Sequence, residues 1–166
     1  MNKMKTGDAM SRENIRSLIV FLVLAVGGGI AIGITTAPGD WYAALIKPSF
    51  NPPNWIFAPV WTILYVFIAI AGWRIWLRNP RGSAMKAWGV QLALNFLWSP
   101  TFFAAHRVDV ALGVILFLLA SIGVFIVTAW RRDRIAAMLF VPYAVWVGFA
   151  TVLNGSLLYL NWPASG

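Results

Sequence analysis

The chain reads as an all-α integral membrane protein, a five-transmembrane-helix bundle with its N-terminus cytoplasmic. Three observations predict this. Hydrophobic residues make up 60% and charged residues 11% of its 166 positions, with a mean hydropathy of +0.75; soluble domains carry about 25% charged residues. Five apolar stretches each come close to the roughly 20 residues that cross a hydrocarbon core ~30 Å thick, and none alternates like a barrel strand. Lys and Arg gather at one set of span ends, the side that the positive-inside bias assigns to the cytoplasm.

Taken in order, residues 1–16 form a basic polar tail with Lys3, Lys5, Arg12 and Arg16. The first span covers 17–37; it is longer than a signal-peptide core and lacks a small-residue cleavage site, so it is expected to be retained. Prolines at 48, 52, 53 and 59 then deny the backbone its donors and hold the preceding residues extended, so the next helix cannot begin much before Ile56. The later spans are 56–77, 87–105, 110–130 and 135–160, joined by short connections that make consecutive helices antiparallel neighbours. The whole of 17–162 is one domain, followed by a short tail at 163–166. Arg74, Arg78, Arg81, Lys86, Arg131, Arg132 and Arg134 share the side of the N-terminal tail, whereas Lys47 and Arg107 lie opposite. The net charge of +8 is thereby topological and calls for no nucleic acid.

Composition also narrows function. There are no cysteines, and one histidine, His106, cannot build a metal site alone. The five acids, Asp8, Glu13, Asp40, Asp109 and Asp133, all fall in the tail or connections. Intramembrane carboxylates mark proton relays and ion pathways, and paired carboxylates or a Ser-His-Asp set mark hydrolases. Both classes are disfavoured, and an odd number of spans fits poorly with two inverted transporter halves.

Neutral polar and aromatic residues remain inside the spans. Gln91, Asn95 and Ser99 recur every four residues with Trp98 and Phe102 beside them; Trp146, Ala150, Leu153 and Asn154 share a face of the last span; Trp61 and Tyr65 do the same on the second. Buried amides in lipid need partners, so these faces turn inward. Two roles are open to them on spacing alone: interhelical hydrogen-bond glue, or a tryptophan-lined cavity with one or two amide donors suited to a flat apolar ligand. Small residues Ala25, Gly29 and Gly33, and Gly89 with Ala93, suit close helix contacts either within the bundle or between protomers.

Three stretches, WYAALIKPSFNPPNWIFAPVWTILY, QLALNFLWSPTFF and LFVPYAVWVGFATVLN, resemble the TspO/MBR family (translocator protein, tryptophan-rich sensory protein, peripheral-type benzodiazepine receptor) over Trp41 to Trp162. The resemblance implies a homodimeric five-helix bundle whose pocket is capped by a lid loop at 38–55. It implies protoporphyrin IX or haem as ligand, with no required cofactor and no metal, together with isoquinoline- or benzodiazepine-type ligands and sterol-like lipids. Trp41 and the KPSFNPPNW segment, with Pro48, Phe50, Pro52, Pro53 and Trp55, match the lid; Trp61, Asn95, Trp146 and Ala150 match pocket positions. Tyr65, Trp98, Leu153 and Asn154 join the ligand-binding set from the shared helix faces. Phe50 stands where many relatives have tryptophan, and no Lys or Arg follows Tyr159, a pattern closer to bacterial than to animal members and pointing to a bacterial cell membrane. The function expected is a membrane receptor or carrier with a sensory or stress-regulatory role. The alternatives are light- and oxygen-dependent porphyrin degradation, with Trp61 and Trp146 as candidate catalytic residues, and efflux of lipids or small molecules.

Overall fold

A computed structural model describes residues 2–161, with side chains from Arg12 onward. Helix α1 (Asn2–Leu22) starts well inside the stretch expected as a polar tail and continues through a π-helical turn, Val23–Gly27, into α2 (Gly28–Thr35). After a short α3 (Asp40–Ala44), a 3₁₀ turn at Asn54–Ile56 leads into α4 (Phe57–Arg78), followed by α5 (Ser83–Ser99), α6 (Val108–Trp130) and α7 (Arg134–Asn161). Among the described residues there are no strands. Among those residues four helices are long and apolar enough to cross a membrane, over Arg12–Thr35, Asn54–Arg78, Val108–Trp130 and Arg134–Asn161. Helix α5 has 17 residues and is continued by a π-helical turn, Pro100–Ala104.

The prolines act where their chemistry predicts. α4 begins one residue beyond Ile56, and Pro59 sits in its first turn, where a missing N–H costs no hydrogen bond. Pro100 opens the π turn, whose first two carbonyls accept from residues beyond it, Pro100 O from Ala105 N–H at 2.9 Å and Thr101 O from Arg107 N–H at 3.1 Å.

The bundle closes as a ring: α1 lies on α4, α4 on α7, α7 on α6, α6 on α5, and α5 returns to α2. Three of the four long-helix pairs that are consecutive along the chain are thus neighbours. The fourth, α4 and α5, makes little direct contact along its length, because bulky side chains stand between the two helices. Trp88 of α5 occupies the space a Cβ at Gly72 would need and donates to Ile68 O at 2.8 Å. Tyr65 fills the corresponding space over Gly29 of α2. The small row on the first helix therefore works inside the bundle at Ala25 and Gly29, both buried, while Gly33 meets nothing.

Large apolar side chains cover the outside, including Val23, Ile34, Phe117, Val127 and Val145, each at least 65% exposed. Such a surface suits lipid and no aqueous phase. The molecule is an integral multi-pass membrane protein. Its basic residues meet at one end: Trp73 of α4 donates to Asn14 O and Ser17 Oγ of α1, and Arg74 and Arg78 reach Asp133 ahead of α7.

Candidate functional site

The other end of the bundle carries the aromatic residues singled out by the sequence. Helices α4, α5 and α7 each present one stripe to the interior. Trp61 of α4 lies 5.6 Å from Tyr65 and 6.3 Å, edge-on, from Tyr143 of α7. Trp146, one turn further along α7, meets Phe57 at 5.9 Å and Phe149 at 5.6 Å. Phe50 from the 38–55 segment reaches over to Phe149 at 6.3 Å. Ala150 is partly buried beside this group and packs against the main core.

Behind the rings runs a chain of hydrogen bonds. Tyr65 donates to Asn95 Oδ1 at 2.6 Å, Asn95 Nδ2 donates to the Tyr143 hydroxyl at 2.7 Å, and Tyr143 donates to Gln91 Oε1 at 3.0 Å. Asn95 and Gln91 are 4% and 0% exposed, so each bond is formed where water cannot replace it. The amide stripe of α5 is in part interhelical glue, as one of its two expected roles required. Asn95 still has a second N–H to offer a ligand. Two buried donors at this end have no partner among the described residues: Gln91 Nε2 and the Trp146 indole Nε1. An indole N–H normally finds a partner when buried, and this one sits among Phe57, Phe149 and Ala150.

The remaining expected residues form a second group. Trp98 stacks on Phe102 at 5.2 Å and donates to Asn154 Oδ1 at 3.1 Å, while Asn154 Nδ2 donates to Val108 O at 3.0 Å. Asn154 is 1% exposed and holds α5, α6 and α7 together. Leu153 joins Tyr42, Phe102 and Val108 in this cluster. Trp41 packs edge-on against Phe102 at 5.9 Å. Trp55 is 74% exposed and stands apart from both groups.

The 38–55 segment is tied down at several points. Asn161 pairs with the Ile46 backbone twice, accepting from its N–H and donating to its C=O, both at 3.0 Å. Lys47 Nζ donates to the carbonyls of Tyr42, Ala43 and Leu45, closing the C-terminal end of α3 where a cation is favourable. Burial pushes the Tyr42 phenol above its ordinary pKa, and its bond to Asn51 only partly offsets this. Pro48 O and Pro53 O accept the Asn51 and Ile56 N–H groups at 3.0 Å, and Pro52 O accepts Asn51 Nδ2 at 3.0 Å. These bonds make the segment a shaped cap over the α5, α6 and α7 ends.

Sequence spacing missed Tyr143, Phe57 and Phe149. Tyr143 precedes Trp146 by three residues on the same helical face, the signal that could have found it. At the opposite, basic end, a small cavity lined by Arg78, Asn79, Ser83 and Arg132 lies apart from the aromatic site. Among the described residues, no group of His, Cys, Asp and Glu could hold a metal ion.

The chain matches the model of the TspO/MBR family over residues 19–160. It is 35% identical to a tryptophan-rich sensory protein of Cereibacter sphaeroides, covering 88% of this chain and 92% of that protein. It is 37% identical to protein CrtK of Rhodobacter capsulatus, covering 86% and 91%, and 36% identical to the human translocator protein, covering 79% and 82%. Family match and bundle coincide over the same helices, and the chain belongs to the TspO/MBR family.

Proposed function

We propose that this protein is a membrane receptor or carrier that takes tetrapyrroles, protoporphyrin IX or haem, between the α4 and α7 aromatic faces under the 38–55 segment. The relatives' printed names, sensory protein and translocator protein, support a membrane receptor or sensory role in general. The observation that carries the ligand reading is the buried, unpartnered Trp146 N–H set among Phe57, Phe149 and Ala150. A flat apolar ring system with a few acceptors matches that combination of aromatic faces and one directed donor. Isoquinoline- or benzodiazepine-type compounds and sterol-like lipids fit the same description less fully, since they carry fewer acceptors. We further infer five crossings with the N-terminus cytoplasmic, in a bacterial cell membrane, and a homodimer through the open Gly89 and Ala93 face of α5.

Titrating protoporphyrin IX in the dark, followed by tryptophan quenching, tests the site. Saturable binding to the parent, lost in Ala150→Trp, is the expected result. Equal binding by both proteins would move the porphyrin to the lipid-facing surface and overturn the assignment.

A second reading, photo-oxidative degradation of the bound porphyrin with dioxygen, is favoured by the closeness of the Trp61 and Tyr65 rings, which can relay an electron to an excited ligand. Replacing Trp61 and Trp146 with Phe should then slow light-driven loss of the Soret band per bound porphyrin, measured at saturating porphyrin so that the weaker dark binding expected from the lost Trp146 N–H does not enter. Unchanged turnover would remove both indoles from that role.

A further inference from the structure

His106 takes no part in the aromatic site, yet its placement is unusual on two counts. Its φ is 56°, the one positive φ at a non-glycine position among the described residues. Histidine tolerates this left-handed region better than most side chains, but such conformations persist only where the surroundings enforce them. Here the π turn Pro100–Ala104 and the Arg107 N–H to Thr101 O bond close the α5–α6 connection and turn the residue outward. The exposed imidazole then lies flat on Trp41 of α3, with ring centroids 4.2 Å apart and planes 13° from parallel.

We propose that the Trp41–His106 stack is a protonation-dependent latch that holds the α3 end of the 38–55 segment against the α5–α6 connection, closing more tightly when the imidazole is charged. This rests on the segment's role as a cap over the site. Histidine is the side chain whose ordinary charge change falls between about pH 5 and 8. An imidazolium over an indole gains a cation–π attraction that the neutral ring lacks, and indole is the best of the aromatic faces for it.

The charged groups around the stack do not oppose this. α3 contributes Asp40, adjacent in sequence to Trp41, and the residues after it contribute Lys47, whose ammonium is committed to three carbonyls and the Tyr42 ring. α6 contributes Asp109, paired with Arg107 at 2.7 and 2.9 Å. The π turn and the last described turn of α7 bring no charge. The segments that meet at the stack thus carry two acids and two bases, with no net positive charge among them. The other fastening, Asn161 on the Ile46 backbone, has no titrating group and stays constant. Acidification therefore acts at one end of the cap alone.

The test begins without ligand. In protein labelled with 5-fluorotryptophan, the Trp41 resonance, assigned from Trp41→Phe, should move between about pH 5.5 and 8. In His106→Asn, which removes the ring but keeps a residue suited to positive φ, it should stay fixed. Hydrogen exchange of the 40–46 amides, taken as the ratio of His106→Asn to parent at each pH, should be about two- to fivefold larger at pH 5.5 than at pH 8. An exchange ratio equal at both pH values, or a Trp41 resonance indifferent to pH in the parent, overturns the latch. Protoporphyrin IX release, compared in the same two proteins, should slow by a similar factor at low pH in the parent only. If the porphyrin does not bind, the ligand reading fails by itself and amide exchange still decides the latch.

Discussion

Tyr143 is the residue on which the buried network turns, since its hydroxyl accepts from Asn95 and donates to Gln91. Tyr143→Phe would leave a buried N–H and a buried carbonyl oxygen unpaired with no water to replace the phenol. A loss of about 1–2 kcal/mol in unfolding free energy is expected, between the soluble penalty for orphaned groups and the smaller values found in membranes; denaturant-induced unfolding in detergent measures it. Trp146→Phe should behave in the opposite way. Its N–H has no protein partner to lose, so stability should hold within about 0.5 kcal/mol, while porphyrin affinity falls about five- to tenfold for one lost hydrogen bond. A matching drop in stability would show that the indole serves the fold. At this scale, Gln91 and Asn95 were legible because amides at four-residue spacing on an apolar helix require partners, and Asn154 because an amide on the Trp146 face of an apolar helix does too. Tyr143 was not, because a lone tyrosine within an apolar run has the same pattern as a core ring.

The helices were legible wherever hydrophobicity ran long enough and prolines marked a start. α4, α6 and α7 begin or end within about two residues of the expected boundaries, a normal margin for helix ends. The two π turns were not, since one inserted residue per turn leaves the apolar pattern almost unchanged; Pro100 was the sole local hint at the second. α3 was missed because five residues are too few to show a period. The α4–α5 spacing also lay beyond reach of the sequence, depending as it does on which glycine faces which indole. Gly72 and Trp88 supply that contact: a methyl group at 72 would enter the indole, which is 4% exposed and bonded to Ile68 O. Gly72→Ala should destabilise the bundle by about 1–3 kcal/mol, the usual range for overpacking. Gly89→Ala, at a position meeting nothing within 4 Å, should leave the monomer unchanged. Parallel thermal unfolding of the two variants checks both, and equal losses would mean that glycine content, rather than the Trp88 contact, sets stability.

Across the whole molecule, charge separates the two ends. Asp133, with its side chain 2% exposed, holds Arg74 at 3.0 Å and Arg78 at 2.8 Å and caps α7 through the Ala136 N–H. Burial opposes its ionisation, but the Ala136 N–H and the two guanidinium groups outweigh that and keep the carboxyl below its ordinary pKa. A depressed folded pKa means stability present above about pH 4 and lost as pH falls through the folded value. The difference in stability between the parent and Asp133→Asn should thus be largest near neutrality and shrink below about pH 4; a constant difference would assign the effect to packing. The same asymmetry was legible in the sequence, where 11 of the 13 Lys and Arg residues fall on one side, and the bundle brings the described ones to a common end. The proposed orientation puts the basic end in the cytoplasm, where Lys and Arg are retained. The chain has no cysteine, so single cysteines report position unambiguously. Ser49→Cys, exposed in the 38–55 segment, should react with an impermeant maleimide on intact spheroplasts, and Ser83→Cys, exposed at the basic end, only after lysis. The reverse pattern would place the aromatic site and its cap on the cytoplasmic side and make the basic cluster an exception to the charge bias.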